Sequence, residues 1–239
     1  SGICSSTGRV LGTAFRADLT VAIACEKIGC ALYPGKSYAG RTVVVPIGID
    51  TEMFADDPSV CFTWEKEELG SLLPERPADS HKGTYGKVLM ITGSSGMAGA
   101  AYLSARAAYT AGAGLVQVYT SGDNRQILQQ LLPEAIITCY AGYDEKQLDD
   151  LLEWADVVCI GCGLGQSEIS EHILVHTLEQ IGKTCIIDAD GLNLLSRHME
   201  LLDRAGRCPV ILTPHMKEMS RLTGKSVSQI NADRRGILD

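Results

Sequence analysis

The sequence contains no long apolar run. Stretches such as Val157–Ile160 and Cys185–Ile187 fall far short of the roughly 20 residues needed to cross a bilayer, so no membrane-spanning helix is expected. Positive charge is also in short supply. Lys and Arg number 21 against 29 Asp and Glu, a formal charge of −8, which argues against non-specific binding to nucleic acid or to an acidic membrane surface. An anionic ligand would therefore need a local device, such as the N-terminus of a helix. No cleavable signal pattern precedes the cysteines. They number nine, an odd count, and are scattered, so a reduced, cytoplasmic compartment is expected. Cys159 and Cys162 are spaced as half of a zinc or redox site, but no second pair supplies the remaining ligands, and structural thiols are expected there.

What is present suits a globular chain: 45% apolar residues over 239 positions allow one large domain, or one domain plus a fragment. The chain opens on Ser1-Gly2 and closes on Asp239 just after a helix start, so both ends are expected to be cut. Composition divides it in three. Residues 1–50 are glycine-rich with short strands at Leu19–Ile23 and Arg41–Ile47. Residues 51–80 mix charges and prolines and read as a linker, with one short helix at Thr63–Leu69 capped by Thr63. Residues 81–239 alternate apolar strands with helices. The strands are Lys87–Thr92, Leu115–Tyr119, Asp156–Ile160, Thr184–Ile187 and Pro209–Leu212; the helices are Ala100–Ala111, Asn124–Leu131, Glu145–Trp154 and Ile169–Gln180. Strands apolar throughout and interleaved with helices predict an α/β fold with a parallel sheet covered on both faces.

In such sheets ligands bind beyond the carboxyl ends of the strands, which directs attention to four turns. The turn Gly93–Gly99 opens into a helix, where glycines allow close backbone approach and free N–H groups face an anion; the plainer alternative is a tight connection. It lacks the Lys-Ser/Thr of a Walker loop, and no Tyr-x-x-x-Lys pair accompanies it as short-chain reductases require. The turn Gly161-Cys-Gly-Leu-Gly165 carries three alternate glycines, more than a simple connection needs. In Asp188-Ala-Asp-Gly-Leu-Asn193, Asp188 is expected to hold a metal or a substrate hydroxyl and Asp190 to cap the next helix. In Thr213-Pro-His-Met-Lys-Glu218 the helix is expected to start at Thr213 or Pro214, leaving His215 near its positive end and facing the cleft.

In order and spacing these four turns resemble those of the NAD(P)H-hydrate dehydratases, members of the ribokinase-like superfamily, over residues 81–239. Residues 1–50 resemble the closing part of the NAD(P)HX epimerase domain that precedes the dehydratase in bifunctional repair enzymes. The resemblance implies a ribokinase-like three-layer αβα fold with a mostly parallel sheet, preceded by the C-terminal piece of a Rossmann-like domain. It implies nucleotide-dependent dehydration of (S)-NADHX or (S)-NADPHX, with ADP or ATP phosphorylating the ring hydroxyl so that phosphate leaves in place of hydroxide. Mg2+ would accompany the nucleotide and K+ the epimerase part, where Ser1 aligns with a potassium ligand. By motif position Ala100, Gly165, His215 and Asn193 would contact the hydrated dinucleotide, while Gly93, Gly96 and Lys82 would contact phosphate. The superfamily's catalytic Gly-x-Gly-Asp helix start does not occur within residues 1–239, which leaves Asp188 as the fallback base. A homo-oligomer is expected. A ribokinase-like small-molecule kinase and a non-catalytic nucleotide-binding module are the competing expectations.

Overall fold

The computed structural model describes residues 2–54, 56–57, 60–73, 75–205 and 208–238. These fall into two compact units, Ser1–Glu75 with Ser226–Asp239, and Arg76–Lys225.

In the first unit, β1 (Leu19–Ile23) and β2 (Arg41–Val45) pair in parallel, joined by the short helices α1 (Ile28–Ala31) and α2 (Lys36–Ala39). The helix expected at Thr63–Leu69 does not form. A turn leads instead into a 3-10 helix at Leu69–Leu72, and no side chain caps it; in this mixed-charge stretch no apolar stripe stabilises a longer helix.

The second unit holds the regular alternation. Its elements run β3 (Lys87–Ile91), α3 (Ala98–Ala111), β4 (Leu115–Ser121), α4 (Arg125–Leu131), β5 (Ile136–Tyr140), α5 (Glu145–Trp154), β6 (Val157–Ile160), α6 (Glu168–Gln180), β7 (Thr184–Ile187), α7 (Asp190–Leu195), α8 (Glu200–Ala205), β8 (Val210–Leu212) and α9 (Met216–Thr223). A further helix, α10 (Val227–Ala232), belongs to the first unit. The six strands are ordered β5-β4-β3-β6-β7-β8 and every pairing is parallel, as expected. The edge strand β5 was not among the expected strands, because IITCY lies between two turns with too few residues to show a period.

Side-chain alternation along β3 builds two cores. Leu89 and Ile91 point into one with Leu148, Leu151 and Leu152 of α5 and Ile173, Leu174 and Leu178 of α6. Met90 points into the other with Ala101 and Ala105 of α3 and Leu128 of α4. The helices start and stop for local reasons. Asp144 accepts the Gln147 N–H (3.0 Å) to cap α5, Ser167 accepts the Ser170 N–H (3.2 Å) to cap α6, and α3 ends at Gly112 in the left-handed region at φ +109°. Among the described residues no helix is long and apolar enough to cross a membrane.

Candidate functional site

The strand order reverses direction between β3 and β6. From β3 the chain proceeds outward through β4 to β5, and from β6 it proceeds outward through β7 to β8. Helices following these two central strands depart to opposite faces and open a crevice at their carboxyl ends, where ligands of doubly wound sheets bind.

The two glycine turns meet there. The Gly93 N–H donates to the Cys162 carbonyl (3.0 Å), and Ser94 donates to the Gly163 carbonyl from its amide (2.6 Å) and from its hydroxyl (3.0 Å). Gly93, at φ +79°, has no room for a side chain: a Cβ would lie 2.8 Å from the Ala101 Cβ and 2.9 Å from the Thr120 Oγ1. Its carbonyl accepts from the Thr120 hydroxyl (2.6 Å) and from Asn124 Nδ2 (3.0 Å), which also donates to the Ser94 carbonyl (2.9 Å). These two buried residues clamp the turn from behind. Sequence reasoning missed both, since a Thr at a strand end and an Asn before a short helix carry no distinctive signal.

Beyond Gly93 the turn opens outward. Gly96 and Gly99 are exposed with nothing near the place of a Cβ, and α3 has no side-chain cap. Among the described residues the N–H groups of Gly96, Ala98 and Gly99 meet no protein acceptor. Open amides at the positive end of a 14-residue helix suit an anion, and they are the local device that a chain of net charge −8 requires.

The third turn locks onto the second. Asp190 does not cap α7. Ala189 occupies the N-cap position at φ +51°, rare and strained for a non-glycine residue, and Asp190 instead accepts the Gly165 N–H on Oδ2 (3.0 Å). The Asp188 carboxylate accepts the Ala189 N–H (2.8 Å) and faces Cys162 Sγ (3.6 Å). Asn193 lies within reach of Asp190 Oδ1 (3.5 Å) and accepts from Arg221 Nη1 of α9 (2.5 Å), a cross-link that the sequence did not announce.

His215 is itself the N-cap of α9, so the helix starts later than expected. Its Nδ1 accepts the N–H groups of Lys217 (3.1 Å) and Glu218 (3.2 Å), while the Glu218 carboxylate accepts the His215 N–H (2.9 Å). Pro214 cannot donate an N–H, whereas the imidazole can satisfy two. The ring remains 63% exposed, with Nε2 at 3.2 Å from Glu218 Oε1.

Gly93, Gly96, Ala100, Gly165, Asp188 and Asn193 thus belong to one hydrogen-bonded row of turns, and α9 with its His215 cap joins the row through Arg221. Lys82 does not. It begins a 3-10 helix before β3, and its carbonyl abuts Gly114 just before β4, at the amino edge of the sheet. Ser1 lies outside the described residues. Among the described residues no group of three or more His, Cys, Asp or Glu side chains could hold a metal ion.

Residues 88–238 match a family model described as NAD(P)H-hydrate dehydratase. A bifunctional NAD(P)H-hydrate repair enzyme from Thermofilum pendens is 34% identical over 98% of this chain and 45% of its own length. The chain therefore spans about half the length of the curated relatives it matches. Among solved structures, a ribokinase-like superfamily protein from Enterococcus faecalis superimposes with a TM-score of 0.61 at 31% identity, over 70% of this chain and 58% of that one. An ADP/ATP-dependent NAD(P)H-hydrate dehydratase from Bacillus subtilis, co-crystallised with ATP and Mg2+, gives a TM-score of 0.60 at 33% identity over 72% and 60%.

Proposed function

The chain belongs to the NAD(P)H-hydrate dehydratase family, and from that premise we propose that it binds hydrated NADH or NADPH at the β3/β6 crevice for nucleotide-dependent dehydration. The observation that carries the proposal is the junction of the Gly93 and Gly161 turns beside the open amides of α3. Those amides would hold phosphate beside Gly96, while Gly93, whose N–H is already donated to the Cys162 carbonyl, would shape the turn instead of binding phosphate as expected. Ala100, Gly165, Asn193 and His215 would line the side that takes the hydrated dinucleotide. Lys82, at the other edge of the sheet, is withdrawn from this wall.

A nucleotide supplies the phosphoryl group that turns a hydroxide into a good leaving group. Within residues 1–239 Asp188, which faces Cys162 of the β6 turn, would serve as the fallback base that takes the hydroxyl proton. Mg2+ is held in many sites by one or two carboxylates with substrate phosphates, and this chain offers it no cage of its own among the described residues. None of the roles assigned here depends on the ion. K+ at Ser1, an attached epimerase activity, a homo-oligomer and a reduced cytoplasmic setting complete the proposal.

The test has two arms. Calorimetric titration of this chain with NADHX and with ADP or ATP measures binding, and recovery of NADH absorbance in the mixture measures turnover. Saturable binding of both ligands supports the site. Absence of NADHX binding by a folded chain overturns it, and phosphorylation of a different small molecule would favour the kinase alternative.

A further inference from the structure

The turn after β3 has no charge of its own. Residues 93–105 contain neither an acidic nor a basic side chain, so the charge at the mouth of the turn comes from another strand. That charge is Asp123. It lies two residues beyond the carboxyl end of β4, the parallel neighbour of β3, and its Oδ2 accepts the Ser95 hydroxyl at 2.6 Å. Both residues are exposed. Ser95 immediately precedes Gly96, whose N–H is one of the open amides, so the carboxylate and those amides border the same opening.

The residues on either side of Asp123 are fastened to the same turn. The Ser121 N–H donates to the Gly93 carbonyl (3.1 Å), and Asn124 Nδ2 donates to the Gly93 and Ser94 carbonyls. Asp123 is thus held in place by its neighbours as well as by Ser95. Its Oδ1 meets no protein donor among the described residues, so one oxygen is occupied by the turn and the other is open. The nearest cation along the chain is Arg125, the first residue of α4, which makes no ion pair among the described residues.

A carboxylate in this place has a definite chemistry. In doubly wound dinucleotide-binding folds a diphosphate rests on the helix start after one strand. An acidic residue near the end of the next strand then accepts hydrogen bonds from the attached ribose hydroxyls. A 2′-phosphate on that ribose would set like charges against each other.

We propose that Asp123 is a specificity-determining residue: it accepts the adenosine ribose hydroxyls of NADHX and disfavours the 2′-phosphate of NADPHX. The inference rests on the functional reading given above and takes the phosphate at the α3 amides to be the dinucleotide's own diphosphate. Ala100, assigned there to the same ligand, directly follows those amides in α3. Ser95 is a positioning residue, acting through its bond to the carboxylate. NADHX and NADPHX differ only at the 2′ position, so the ratio of their affinities reports on the group that meets it.

Calorimetric titration of the folded chain with each ligand, in EDTA to keep divalent ions out, gives that ratio. NADHX should bind about 10- to 100-fold more tightly. Asp123→Asn keeps an acceptor for Ser95 but removes the charge, and should close most of the gap by strengthening NADPHX. Ser95→Ala should narrow the gap in part, and Arg125→Ala should not reduce it. Salt supplies a readout that needs no variant. Raising it from about 0.01 to about 1 M shortens the Debye length from about 30 to about 3 Å and should narrow the gap in the unaltered chain.

Equal affinities, a preference for NADPHX, or a gap that survives both Asp123→Asn and high salt would overturn the role of Asp123 and leave the functional reading standing. A folded chain that binds neither ligand would overturn that reading and this inference with it. An effect of Asp123→Asn seen only when Mg2+ replaces EDTA would make the residue a metal ligand, which also overturns the proposal.

Discussion

The Ser94 amide donates to the Gly163 carbonyl across 2.6 Å, so the turn after β3 and the turn after β6 are joined backbone to backbone at the reversal of strand order. Neither turn can shift without the other, and the open amides of α3 are held in place by atoms from a distant part of the chain.

The junction predicts a contrast between two glycines. A methyl at Gly163 would lie 2.7 Å from the Ala100 Cβ and 3.1 Å from the Met97 Cβ, at φ +63°, whereas Gly96 at φ +80° has open space. Gly96→Ala should cost only the left-handed backbone penalty, about 1–2 kcal/mol. Gly163→Ala should cost that plus about 1–3 kcal/mol of overpacking and should also weaken NADHX binding. Urea unfolding of both variants checks the order; equal losses would mean that the turns are not tightly joined.

Asp190 ties the β6 turn to α7 rather than capping its own helix. Asp190→Ala removes the acceptor of the Gly165 N–H and should destabilise by about 1–3 kcal/mol. Faster hydrogen exchange at Gly165, with the α7 amides unchanged, is the signature to look for. If the α7 amides exchange faster and Gly165 does not, the capping role assigned from sequence is the correct one.

His215 has a capping role that can be separated from a binding role. His215→Ala should lose about 0.5–2 kcal/mol of stability from the α9 cap. His215→Asn keeps an acceptor for the same N–H groups and should recover most of it. Titration of both variants with NADHX and ADP then isolates the imidazole: a loss of NADHX affinity that persists in the Asn variant places the ring on the substrate.

Tyr119 is fully buried, and its hydroxyl has no partner among the described residues. Burial first, then the nearby Asp144 carboxylate, push its pKa from 10.0 up to about 12. The folded-state value lies above the unfolded one, so the associated stability is complete below about pH 10 and is lost as pH rises toward about 12. Tyr119→Phe should flatten that alkaline loss, and at neutral pH it should be neutral or slightly stabilising, since it removes an unsatisfied hydroxyl. Unfolding midpoints measured from pH 8 to 12 on both proteins decide it.

The fold class, the parallel sheet and the positions of most strands and helices were written in the sequence. Apolar runs such as Lys87–Ile91 and the leucine stripe of Glu145–Trp154 specify their own periods, and only β5 and the short helices fell below that signal. The four turns were legible as well, because glycines and carboxylates at strand ends are local features. Which partner each turn residue takes was not. Asp190 stands at a helix start, where sequence predicts a cap, but folding brings the Gly165 amide within 3.0 Å of its carboxylate. Thr120 and Asn124 become a clamp only when β4 lies beside β3. Lys82 looked eligible for phosphate until the sheet placed it at the amino edge, away from the turns. Periodicity and turn chemistry act over a few residues and can be read along the chain. Hydrogen-bond partners tens of residues apart are fixed by strand order and register, which exist only once the sheet has formed.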